Sequence, residues 1–144
     1  MAMEPPTVIR SDAIRNEVLK VFQSFRPIEG KAIREQVIRG QYMDSHVRGE
    51  AMKGYRSEEG VPEDSRTETF VAMKLFIDNW RWGGVPFYLR SGKRLPTRVS
   101  EIVIHFKKSP HTLFCHHEGN VPRGNALVIR IQPDEGILLK FGMK

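Results

Sequence analysis

The sequence is short of most of the features that mark specialised classes of protein. It has one cysteine in 144 residues, Cys115. An intramolecular disulfide is therefore impossible, and a reducing cytoplasm is the simplest home. No apolar run approaches the ~20 residues of a membrane-spanning helix, so a membrane partner is set aside. The opening Met1-Ala2-Met3-Glu4-Pro5-Pro6 lacks a basic region followed by an apolar core, which reads as no secretory signal. No GxGxxG-type glycine loop is present, so nothing here is expected to hold a dinucleotide in the usual way. Metal-ligand spacing is missing as well. His46 stands alone on a polar stretch, and the adjacent Cys115-His116-His117 do not readily converge on one ion, so no metal site is expected. Internal repeats and low-complexity tracts are absent.

What is there is ordinary for one globular domain: 144 residues, 40% hydrophobic and 28% charged. The net charge of +6 admits an anionic partner such as nucleic acid, an acidic surface or a phosphorylated metabolite. The cations are scattered from Arg10 to Lys144 and the aromatics sit in strand-like runs, which argues against nucleic acid.

Pro5-Pro6 makes residues 1–10 an extended lead-in. Ser11 is a candidate N-cap, with Asp12 in the first turn. Ile14, Val18, Val21, Phe22 and Phe25 recur at helical spacing and predict a helix that packs on a core and stops before Pro27. Residues 27–35 read as a connector, 36–42 as a strand and 43–66 as a long polar loop. Residues 67–78 predict a long strand, with Phe70, Ala72 and Phe76 on one side and Val71, Met73, Leu75 and Ile77 on the other. Apolar residues on both faces imply cover on both. Val99–Phe106 predicts another strand, with Ile102, Ile104 and Phe106 on one face. Residues 107–124 read as irregular. Leu127–Gln132 and Ile137–Phe141 form a hairpin about the turn Pro133-Asp134-Glu135-Gly136. The sum is an α+β fold, one N-terminal helix and about five strands of mostly antiparallel sheet.

The stretch from Trp80 to Arg98 organises this pattern. Gly83-Gly84 makes a tight reversal, Pro86 opens the next strand, and Phe87-Tyr88-Leu89 continues it. That strand is expected to deliver Arg90, Lys93, Arg94 and Arg98 into a loop opened by Ser91-Gly92. Four cations on such a loop suit an anionic small ligand: lysine offers a point charge to a phosphate and arginine a planar fork. A solvated basic turn has the same composition.

The run Asp78-Asn79-Trp80-Arg81-Trp82-Gly83-Gly84-Val85-Pro86-Phe87-Tyr88-Leu89-Arg90-Ser91-Gly92-Lys93-Arg94-Leu95 resembles the signature segment of the glucose-6-phosphate dehydrogenase family in its bacterial form. The resemblance extends through Ala2–Pro6, Ala13–Phe22, Val37–Tyr42, Gly54-Tyr55, Val61-Pro62 and Asn125–Gly136. It implies an incomplete part, spanning residues 1–144, of the large β+α domain that packs beside a Rossmann-type coenzyme domain and supplies the dimer interface.

The enzyme so implied oxidises glucose 6-phosphate to 6-phosphogluconolactone and reduces NADP, the entry to the pentose phosphate pathway. Lys93 matches the lysine that reaches the substrate from this domain, and its charge can offset phosphate or a sugar oxyanion. Gln132 matches a glutamine near the same site, able to donate to and accept from sugar hydroxyls. Arg98 matches an arginine of the same loop, which either meets the substrate or holds the loop.

The family's general base and its aspartate lie upstream of the segment matching Met1-Ala2-Met3. None of His46, His105, His111, His116 or His117 matches that base, so no catalytic residue is expected in this chain. Some family members bind a second, structural NADP, and Arg90, Arg130 and Lys140 match basic positions of that site. Val99, Val103 and Leu138-Leu139 replace its other polar positions, so no coenzyme is expected bound here.

The resemblance therefore implies an internal piece of the enzyme, cytoplasmic, inactive alone and self-associating through its sheet. The alternatives are a non-catalytic shortened paralogue that binds a sugar phosphate or a full-length subunit, and an unrelated basic binding domain.

Overall fold

Helix α1 (Ser11–Gln23) begins where the sequence places it but is capped differently. Arg10 is the N-cap, in extended backbone at φ −132° and ψ 150°, and Ser11 is already helical. The Arg10 carbonyl accepts the Ile14 N–H at 3.0 Å, and its guanidinium pairs with Asp12 at 2.9 Å, so no side chain caps the helix. The computed structural model describes residues 2–47, 49–107 and 124–141. They divide into two compact units, Met1–Arg94 and Leu95–Lys144.

The apolar stripe of α1 does not form core. No residue of the helix is buried, and Phe22 is 62% exposed. The helix period is right, but no other helix or strand among the described residues lies against that face. The helix is moored instead at its C-terminal end. Arg26 N–H donates to the Phe76 carbonyl at 2.9 Å and Asp78 N–H to that of Ser24 at 2.7 Å, with Phe25 bridging Ile77. Ile77 sits at the centre of this join and is 1% exposed.

The expected connector at 27–35 contains a second helix, α2 (Lys31–Gln36). It starts after Gly30, at φ 55°, and is built wholly of competent helix formers. Six residues are too few for an apolar period to show. It runs directly into β1 (Val37–Gly40). The polar stretch after it is not structureless. A small hairpin of β2 (Ser45–Val47) and β3 (Glu50–Met52) turns at Gly49, φ 87°, and a single 3₁₀ turn, Tyr55–Ser57, follows.

Strand β4 (Phe70–Phe76) is central in the larger sheet of this unit, flanked by β1 and by β5 (Pro86–Gly92), all antiparallel. It is shorter at both ends than 67–78. Its seven residues are all half-buried, so the apolar content on both faces is legible in the structure while neither face is sealed.

The second unit is an antiparallel sheet, β6 (Ser100–His105), β7 (Ala126–Gln132) and β8 (Gly136–Lys140), in that order. Ala126 and Val128 of the middle strand are buried. The predicted hairpin is present, with Arg130 opposite Gly136 and Ala126 opposite Lys140. Most of the irregular segment predicted at 107–124, with His111, Cys115, His116 and His117, lies outside the described residues.

The architecture is α+β and antiparallel throughout. The described residues form two α-helices and eight strands where the pattern predicted one helix and about five. The additions are the short elements of the first unit. No described helix is long and apolar enough to cross a membrane.

Candidate functional site

The reversal that organises the sequence is built as its glycines require. Asn79 accepts the Trp82 N–H on its side-chain oxygen at 2.8 Å and the Gly83 N–H on its carbonyl at 2.9 Å. Gly84 then takes φ 76°, open to glycine without a side-chain clash. The Trp82 ring stands edge-on to Phe87 at 5.2 Å, and its indole N–H donates to the Ala2 carbonyl at 2.8 Å. Trp80 is fully exposed. The strand before the reversal ends at Phe76.

Ser91-Gly92 does not open a loop. Both residues belong to β5, Ser91 opposite Val71 and Gly92 opposite Phe70, because the β4–β5 ladder continues to its last residue. Arg90 is consequently a strand residue opposite Ala72. The turn starts at Lys93.

Thr69 and Arg94 hold that turn. Thr69, 9% exposed, accepts the Lys93 N–H on its carbonyl at 2.8 Å. Its own N–H donates to the Gly40 carbonyl at 2.9 Å, and its hydroxyl accepts the Tyr42 N–H at 3.0 Å. Next to these, the Gln41 amide donates to the carbonyls of Ser65 and Thr67 at 2.8 and 2.9 Å and accepts from Arg56 at 2.9 Å. The segment after β1 therefore stitches the polar stretch to the end of the sheet.

Arg94 has φ 56°, a left-handed conformation that costs a residue with a Cβ about 1 kcal/mol. Its guanidinium meets Glu58 at 2.5 Å and lies 5.7 Å from the centre of the Tyr42 ring. The Tyr42 hydroxyl donates to the same Glu58 carboxylate at 3.3 Å. The neighbouring Tyr42 oxygen, and the Glu58 charge after it, hold the Arg94 guanidinium above its ordinary pKa. Sequence reading missed this pair; with the partners 36 positions apart, no local pattern carries it.

Lys93 is exposed at the end of β5, and its side chain has no partner among the described residues. Arg98 and Gln132 belong to the other unit. Gln132 ends β7 opposite Ser100, two residues beyond Arg98, and both side chains are exposed. The register shifts between Ser100 and Glu101, so that Gln132 and Arg130 face consecutive residues of β6 and Ile131 has no partner on that strand. Such a bulge re-aims the side chains beside it. The structure thus brings Arg98 and Gln132 to one end of one sheet, and Lys93 to the end of another.

The basic positions that match the family's second coenzyme site divide the same way. Arg90 is in the first unit, while Arg130 and Lys140 are in the second, separated along the β7–β8 ladder by four register steps. At about 3.3 Å per residue this is roughly 13 Å between their backbones. Among the described residues no group of three His, Cys, Asp or Glu could hold a metal ion.

The fold is antiparallel α+β, with an exposed lysine at this strand end that has no side-chain partner among the described residues. A family model described as the C-terminal domain of glucose-6-phosphate dehydrogenase matches residues 1–144, and the chain belongs to that family. It is 52% identical over 144 residues to a glucose-6-phosphate 1-dehydrogenase of Aggregatibacter actinomycetemcomitans, covering 100% of this chain and 28% of the relative. Over 145 residues it is 52% identical to that of Treponema pallidum (strain Nichols), again with 100% and 28% covered.

Among solved structures, the glucose-6-phosphate 1-dehydrogenase of Mycobacterium avium matches with a TM-score of 0.78 at 38% identity, over 97% of this chain and 28% of the other. A glucose-6-phosphate dehydrogenase in complex with its substrate glucose-6-phosphate matches with a TM-score of 0.79 at 38% identity, over 96% and 26%. The chain therefore spans little more than a quarter of the length of these relatives.

Proposed function

We propose that these 144 residues serve as the substrate side of a glucose-6-phosphate dehydrogenase subunit. The observation that carries the reading is the family match along the whole chain. The exposed, backbone-clasped Lys93 gives it a chemical basis. In this reading Lys93 sets its ammonium against the phosphate or a sugar oxyanion. Gln132 exchanges hydrogen bonds with sugar hydroxyls, and Arg98 adds charge or holds its loop.

NADP bound to the complete enzyme would supply the hydride acceptor for oxidation of the sugar to 6-phosphogluconolactone. The Rossmann-type coenzyme domain and the base that removes the hydroxyl proton are assigned to other parts of the subunit. The reading also makes the protein a cytoplasmic enzyme of the pentose phosphate pathway, dimeric through the sheet of this domain.

The test is made in the complete subunit that carries these residues. Lys93→Ala is expected to raise KM for glucose 6-phosphate about 10- to 100-fold, as loss of a charge-assisted hydrogen bond does. KM for NADP should stay unchanged. The 144-residue chain alone is expected to form no NADPH. Turnover by the purified chain, or an unaltered sugar-phosphate KM in Lys93→Ala, contradicts the proposal.

A further inference from the structure

We infer that Arg94 is a positioning residue for Lys93: its guanidinium, clamped by Glu58 and Tyr42, fixes the turn after β5 in the conformation that presents the Lys93 ammonium. The inference rests on the substrate role proposed for Lys93.

The backbone gives the first reason. Arg94 is the one non-glycine residue with positive φ among the described residues. Glycine would adopt this conformation without strain, so the arginine side chain has to return something that glycine's freedom would not. The clamp shows what it returns. Arg94 Nη2 lies 2.5 Å from Glu58, Nη1 lies 3.9 Å from the Met52 sulfur, and the guanidinium stands beside the Tyr42 ring. Segment 42–58 thus meets the guanidinium from three residues, one of which, Tyr42, also bonds Glu58.

Lys93 is consequently held on both sides, by its own N–H on Thr69 and by Arg94 immediately after it. Its side chain is left free. A lysine on a mobile turn would lose both backbone and rotamer freedom on meeting a ligand; here the backbone part is already spent in folding. Glu58 also neutralises Arg94, so the neighbouring charge does not draw the anion away from Lys93. Arg94 acts through Lys93 and does not itself touch the sugar phosphate.

The experiment uses the complete subunit with Arg94→Gly, Arg94→Lys, Glu58→Gln and Lys93→Ala. Arg94→Gly keeps the φ angle accessible and removes the clamp, while Glu58→Gln loosens it without altering the backbone at position 94. It is expected to raise KM for glucose 6-phosphate about fivefold with KM for NADP unchanged, and to add little on top of Lys93→Ala, as coupled residues do. Hydrogen exchange at the Lys93 amide should quicken in Arg94→Gly. Glu58→Gln should shift KM in the same direction by less, and Arg94→Lys should recover part of the loss.

The clamp is overturned if Arg94→Gly leaves that KM within twofold, or if its effect multiplies fully with that of Lys93→Ala. Either result can occur while Lys93→Ala itself raises KM strongly, which leaves the substrate reading standing. Lys93→Ala without effect removes that reading, and the clamp falls with it. Should Arg94→Gly fail to fold, Glu58→Gln decides on the same KM and double-variant criteria.

Discussion

Thr69 joins three segments of backbone through its own polar atoms. Its N–H reaches Gly40, its carbonyl receives Lys93 and its hydroxyl receives Tyr42. Thr69→Val keeps the shape and removes the hydroxyl acceptor, leaving the Tyr42 N–H half-buried without a partner. The expected loss of local stability is about 1–3 kcal/mol, the cost of an unmade buried hydrogen bond. Faster hydrogen exchange at the Tyr42 amide would report it, and Thr69→Ser should restore most of the protection. Lys93 was singled out as a candidate from the sequence because a long segment of rare residues at fixed spacing surrounds it. Thr69 was not, because its acceptor role depends on a partner 27 positions away.

At the scale of elements, the joint between α1 and β4 carries a titratable contact. Arg26 donates twice to the Asp78 carboxylate, at 2.9 and 2.7 Å, and these bonds hold the Asp78 pKa below its ordinary 3.8. A depressed carboxylate pKa stabilises the fold above the unfolded value. The contribution is therefore present above pH 3.8 and fades as the pH falls from there through the lowered value. Both side chains are about half exposed, so the effect is small and shrinks in salt. Arg26→Ala is expected to return Asp78 to its ordinary range, read from the pH titration of its carboxyl carbon by NMR. An unchanged titration would show that the pair does not persist in solution. The long elements of this joint were legible from period and composition. Helix α2 and the β2–β3 hairpin were not: three to six residues hold too little pattern to outweigh the reading of polar residues as loop.

For the whole molecule, the second unit leaves large apolar side chains in the open: Ile131, Ile137, Leu138, Leu139 and Phe141 are all exposed. Strand β8 is moreover an outer strand of its sheet, with one row of backbone groups unpaired in the ladder. Apolar area of this kind, beside an open edge, favours association. We predict that the 144-residue chain self-associates with rising concentration in sedimentation velocity, and that Ile137→Lys with Leu139→Lys weakens it. A single monomeric species at every concentration would count against a dimer formed through this sheet. The same exposure explains why the stripe of α1 misled: an apolar period records that a face is made to be covered, without recording whether the covering residues belong to the same chain.

The sequence by itself determined the existence of α1, the central strand β4, the Gly83-Gly84 reversal and the β7–β8 hairpin. Each follows from side-chain period or from glycine and proline backbone preferences within a dozen residues. It also carried the family, through residues 78–95 above all. Only the tertiary structure decided that the ladder runs on through Gly92 so that the turn begins at Lys93, that Gln132 ends its strand beside a bulge, and that Glu58 and Asp78 receive Arg94 and Arg26 across 36 and 52 positions. Those pairings depend on the path of the backbone, which brings distant donors and acceptors to within 3 Å. Residue type alone leaves every such partner undecided.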